Sequence, residues 1–192
     1  MSPILDSIGS VKVFGWGSLA LGDFESIASV SITSQGQSNG MYFTNIPTTY
    51  KHLQVRGLVR NSYAGTNDPL YMRINDNTTS SLYQSHRVRG DGASIMAETT
   101  NASYMHMGQT VAGNGTTSCV TTFVFDILDY SNLNKNKTVR GMTGYDGNGT
   151  GQVNLVSGVY MVANTSVVTI GLDGITTGAL LGSHAELYGV RA

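Results

Sequence analysis

The feature that most constrains this chain is a period of two that recurs from Phe24 onward, with no stretch of helical period. Alternation of this kind puts apolar side chains on one face of an extended strand and polar ones on the other. The clearest case is KHLQVRGLVRN (51–61), where Leu53, Val55 and Val59 share one face and His52, Gln54, Arg56 and Arg60 the other. FESIASVSIT (24–33) offers Ile27, Val30 and Ile32 as core positions. After the turn signal GQSNG (36–40), MYFTNI (41–46) reads as its returning hairpin strand. PLYMRIND (69–76) turns Leu70, Met72 and Ile74 inward, with Pro69 tolerable at the start of a strand. Further strands read at 82–90, 103–108, 118–130, 137–146, 151–162, 166–173 and 183–191, with 118–130 the most apolar and central. Residues 61–68, 91–102 and 108–117 read as loops. About ten strands separated by turn chemistry predict an all-β fold, a jelly-roll-like antiparallel β-sandwich over residues 24–192.

Composition agrees with that reading. The charged share is 12%, about half the usual one, and its place is taken by 24 Gly with many Ser, Thr and Asn. Gly and Asn tolerate the positive φ values that tight β-turns demand. The 11 basic and 12 acidic residues form no basic stripe that could follow a phosphate backbone, which excludes nucleic acid as an expected partner. No apolar run approaches the ~20 residues that span a bilayer as a helix, so no membrane is expected either. The single Cys119 rules out an intrachain disulfide, and its place in an alternating apolar run predicts a buried thiol. The first residues lack the charged start and continuous apolar stretch of a signal peptide, which points to synthesis in a cytoplasm.

Residues 1–23 differ from the rest. Ile4, Leu5, Ile8, Val11, Val13, Phe14, Trp16, Leu19 and Leu21 stand among small residues, and glycines at 9, 15, 17 and 22 weaken both helix and strand. A free soluble tail would be polar. This segment therefore reads as an extended N-terminal arm that packs on its own domain or docks on a neighbouring subunit. Its anchoring residues would be Ile4, Leu5, Ile8, Phe14, Trp16 and Leu19.

Several motifs invite a chemical reading. Asp146-Gly147-Asn148-Gly149-Thr150-Gly151 matches the first half of an EF-hand loop, but its twelfth position is Ser157 rather than the bidentate Glu that closes such a loop. A Gly/Asn hairpin between the flanking strands explains the same residues. His52, His86, His106 and His184 have no zinc-ligand spacing, and the first three sit at strand positions that read as surface or interface. No Gly-x-Ser-x-Gly elbow is present. Asp126 and Asp129 point to opposite faces of a strand, so they cannot flank one glycosidic bond. Asp129 and Asn132 read instead as closing the turn DYSNLNKNK by bonding backbone amides. No catalytic residue, cofactor site or metal site is expected. Tyr63, Tyr71, Tyr83 and Tyr104 sit in or beside predicted loops, where they could stack on a sugar or serve as ordinary half-buried strand residues.

Three blocks then stand out in order: FESIASVSIT…MYFTNIPTTYKHLQVRGLVR, FDILDYSNLNKNKTVRGMTGYDGNG and the ending AELYGVRA. Together they resemble a module of tailed-bacteriophage virion proteins, and the resemblance covers roughly residues 24–192. The leader PILDSIGSVKVFGWGS resembles, more loosely, the short leaders of phage tail and head accessory proteins. The resemblance implies a non-enzymatic structural subunit on the outer surface of the virion, assembled in the host cytoplasm. It further implies a homo-oligomer, with a trimer favoured, in contact with other capsid or tail proteins. A capsid decoration (cement) protein is favoured over a tail-appendage subunit. The rival reading is a receptor- or glycan-binding module of the tail, for which a host surface glycan would be the ligand.

Overall fold

The structure, a computed structural model, describes residues 12–13, 19–20, 23–33, 40–174 and 178–191. The alternating runs become strands. They are β1 (Lys12–Val13), β2 (Leu19–Ala20), β3 (Phe24–Ser31), β4 (Met41–Phe43), β5 (His52–Val59), β6 (Asn67–Ile74) and β7 (Tyr83–Gly90). The series continues with β8 (Ile95–Ala102), β9 (Met105–Val111), β10 (Thr121–Leu128), β11 (Lys137–Asp146), β12 (Gly151–Tyr160), β13 (Ile170–Asp173) and β14 (His184–Val190). No helix occurs among the described residues.

Apart from the β1–β2 pair, the strands form two antiparallel sheets packed as a β-sandwich. The larger has eight strands in the order β3-β14-β5-β10-β11-β12-β7-β8, the smaller four in the order β4-β13-β6-β9. Eight strands facing four make a β-sandwich, and the jelly-roll part of the expectation is not confirmed. Leu53, Val55, Phe125, Ile127, Val139 and Leu187 of the large sheet share one core with Phe43, Met72, Ile74, Met105, Ile170 and Leu172 of the small one. The sheets approach closely at Gly158, where an added Cβ would lie 2.3 Å from the Met105 sulfur. A side chain there would require Met105 to move.

Two cations, the half-buried Arg60 and the buried Lys137, hold loops through carbonyl oxygens rather than carboxylates. Arg60 Nη1 donates to the carbonyls of Thr116 (2.7 Å) and Cys119 (2.8 Å), and Nη2 donates to those of Gly113 (3.3 Å) and Gly115 (3.0 Å). Its fork thereby orders the 113–119 loop. Lys137 is fully buried, and its Nζ donates to the carbonyls of Asn132, Lys135 (2.8 Å) and Ala163 (3.3 Å). Burial lowers its pKa, as desolvation of an ammonium requires.

Some expectations are corrected here. Residues 24–33 and 41–46 do not form a hairpin: β3 pairs with β14 in the large sheet and β4 with β13 in the small one. The apolar faces of both segments are satisfied from opposite layers of the core, which alternation alone cannot distinguish. Residues 91–102 are not all loop, because β8 occupies Ile95–Ala102. As a sheet margin wet on both faces, that strand needs no apolar alternation and reads as polar sequence. Residues 67–68 and 108–111 likewise belong to strands β6 and β9. Cys119 precedes β10 and is half-buried, with Sγ 3.0 Å from the Asp146 carbonyl.

The core position of Leu53, at 0% exposure, yields the first prediction. Leu53→Ala should lower stability by about 2–5 kcal/mol in urea unfolding. An unchanged midpoint and slope would remove this residue from the core.

Candidate functional site

The outer face of the large sheet is the surface that the fold leaves uncovered. Strand register places residues on it in rows. One row runs Glu186, Arg56, Val124, Met142, Leu155, Val88 and Ala97 across β14, β5, β10, β11, β12, β7 and β8. The next runs Leu58, Thr122, Gly144, Val153, Gly90 and Ile95. Leu155 is 57% exposed and Ile95 81%, and Met142, Val88 and Val153 are also exposed. The result is a contiguous apolar stripe from β11 to the β8 margin. Gly144, lacking a side chain, leaves an open depression of about 640 Å3 bordered by Arg56, Thr122, Val124, Met142 and Val153.

Polar rows frame this stripe. On one side lie Gln54, Asp126, Arg140, Ser157, His86 and Thr99, with Gln54 Nε2 donating to Asp126 Oδ1 at 2.8 Å. At the β5–β14 end, the Arg56 guanidinium lies 4.0 Å over the Tyr188 ring, and the Tyr188 hydroxyl donates to Glu186. That bond holds the Glu186 carboxyl below its ordinary range, with the hydrogen bond to His184 as the next cause. The face thus has an apolar centre, a polar flank that includes Asp126 and Arg140, and a further charged corner of Arg56 and Glu186.

The residues singled out from the sequence fall in different places. Ile4, Leu5, Ile8, Phe14 and Trp16 lie outside the described residues, and Leu19 is described only as a backbone position of β2, opposite Val13. Tyr63 is exposed on the loop after β5. Tyr83 is not available to a ligand, because it lies fully buried against Tyr160 with ring centroids 4.9 Å apart. Its hydroxyl donates to the Asn77 carbonyl at 2.9 Å and accepts from Ile74 N at 3.1 Å, and burial pushes its pKa up to about 12. Tyr71 is also buried, its ring 3.9 Å from that of the half-buried Tyr104, which corrects the ligand-facing reading for it. Asp146 closes its hairpin by accepting from Asn148 N at 2.9 Å, with Asn148 and Gly149 at φ 59° and 95°. Among the described residues no group of three or more His, Cys, Asp or Glu is placed to hold a metal ion. Asp129 uses its carboxylate on Lys135 (2.9 Å) and Lys51 (3.6 Å), not on turn amides.

Sequence reasoning missed a polar cluster between the sheets. Arg87, 4% exposed, donates from Nη2 to Glu98 and from Nη1 to His106 Nε2 at 3.0 Å. His106 is therefore not a surface residue but a neutral acceptor facing a buried guanidinium. Desolvation, then the Arg87 charge, depresses its pKa to about 4. The alternation of YQSHRVRG places Arg87 on the inward face, but nothing in that run marks a buried charge.

No protein family, curated protein or solved structure matches the chain.

The cluster yields a pH prediction. His106 protonates near 6.5 in an ordinary setting and near 4 in the fold. Between those values the unfolded state binds more protons, so stability rises with pH. Acidification should therefore remove stability progressively below 6.5. Glu98, held below its ordinary range first by the hydrogen bond from Arg87, adds a loss of the same sign at lower pH. His106→Gln keeps a neutral acceptor and should flatten the dependence of the urea midpoint between pH 6.5 and 4. An unchanged slope in that variant would contradict the assignment.

Proposed function

We propose that this chain is a non-enzymatic structural subunit of a tailed-phage virion, displayed as a homo-oligomer on the particle surface. A capsid decoration role is favoured over a tail appendage. The observation that carries the reading is the exposed apolar stripe Met142–Leu155–Val88 with Val153 and Ile95, framed by polar side chains. Contiguous apolar patches on soluble domains mark interaction sites. Covering one half-exposed aliphatic side chain contributes about 1 kcal/mol, so a stripe of five supports a stable joint between subunits. The three sequence blocks that resemble phage virion modules supply the class of assembly. The apolar leader, with Phe14 and Trp16, supplies a second attachment. A glycan-binding role has less support, since two of its four candidate tyrosines are buried.

The test adds purified chain to particles that lack it, followed by sedimentation. Leu155→Glu is a surface change that should alter stability by no more than about 0.5 kcal/mol, yet it should sharply reduce co-sedimentation. Removal of residues 1–22 should do the same. If both variants co-sediment as fully as the unaltered chain, neither surface joins the particle and the reading fails.

A further inference from the structure

Sheet margins expose unpaired N–H and C=O groups, and proteins blunt them with short strands, bulges, charges or cover. Three of the four margins here are managed. β4 has only three residues. β9 is largely buried and pairs with β6 across a bulge at Leu70/Tyr71. β3 carries Glu25, bound by Arg191 at 2.6 Å, and faces a bulge in β14. Among the described residues β8 has none of these devices. It is eight residues long, pairs with β7 in unbroken register, contains no Pro or Lys, and has exposed residues on both faces. Its one charge, Glu98, is held by Arg87 of its own sheet.

We infer that β8 pairs antiparallel with β8 of a second copy across a two-fold axis at Thr99, joining the two large sheets edge to edge. This deepens the proposed homo-oligomer by naming its contact and rests on that reading. Several observations converge on it. An open edge accepts only an extended strand. Every copy carries the same open edge, and a closed two-fold contact satisfies both at once. The apolar stripe also runs out to this margin at Ile95, so the joint makes the stripes of the two copies neighbours.

The phase of the ladder fixes the register. Asp91 N donates to Ser94 O at the hairpin end. Bonded pairs alternate along an antiparallel ladder, so 96, 98, 100 and 102 bond β7, while Ile95, Ala97, Thr99 and Asn101 point their backbone groups outward. A two-fold perpendicular to the sheet keeps both outer faces on one side and pairs residues of like parity. Of the registers that use most of the strand, centring on Glu98 sets two carboxylates opposite each other, which is destabilising. Centring on Thr99 sets Thr against Thr and Ala97 against Asn101 of the second copy.

The test is the mass of the purified full chain in solution, by light scattering. The unaltered chain should contain an even number of subunits. Thr99→Lys and Thr99→Glu each place like charges across the axis and should halve that mass with the melting midpoint unchanged. An equal mixture of the two variants should restore it, because opposite charges then meet. An odd subunit number, an unchanged mass in either variant, or failure of the mixture to recover would overturn the proposal. If a variant unfolds, Ala97→Lys with Asn101→Glu on one chain provides the same test, predicting retained mass for that pair and loss for Ala97→Lys with Asn101→Lys, which sets like charges opposite each other. Because no particle is involved, failure here leaves the virion reading to its own test.

Discussion

The packing of an eight-stranded sheet on a four-stranded one is the constraint from which the other features follow. With strands spaced about 4.8 Å apart, the wider sheet overhangs the narrower by about 19 Å in total. Apolar burial between the layers, led by Leu53, Phe125, Met72 and Ile170, cannot reach those margins. The space beneath each overhang is filled by other means. On the β7–β8 side, Arg87 bridges Glu98 and His106 beneath the sheet. On the β14 side, the Tyr50 ring fills the space under Gly189, where an added Cβ would lie 2.3 Å from it, and the Arg191 guanidinium lies 5.3 Å over that ring.

Much of this was legible in the sequence, and the failures have physical causes. Residues 52–59 declare their inward face because water and core lie on opposite sides of one strand. The same logic found β11, β12 and β14 to within two residues at each end, and placed β10 inside a longer run. It failed for β8, where both faces are wet and the pattern carries no contrast. It misassigned the partner of β4, since alternation reports which face is buried and not which sheet does the burying. Buried Lys137 and Arg87 were invisible for a related reason. Their partners are loop carbonyls in one case and residues of other strands in the other.

The candidate surface was legible only once the strands were in register. Met142, Leu155 and Val88 are dispersed in sequence, and each alone is an unremarkable exposed residue. Lined up across β11, β12 and β7 they become one stripe. Two of the four tyrosines that suggested a ligand proved to serve packing, Tyr83 on Tyr160 and Tyr71 on Tyr104. What the outer face retains is apolar area with a polar border that includes Asp126 and Arg140, and a charged corner of Arg56, Tyr188 and Glu186.

The most direct measurement of the central claim is quantitative mass spectrometry of purified particles produced from the genome that encodes this chain. A decoration subunit joined through repeated lateral contacts should be present in stoichiometric excess over the tail proteins and should resist removal by mild washing. Absence of the chain from purified particles would contradict the account outright.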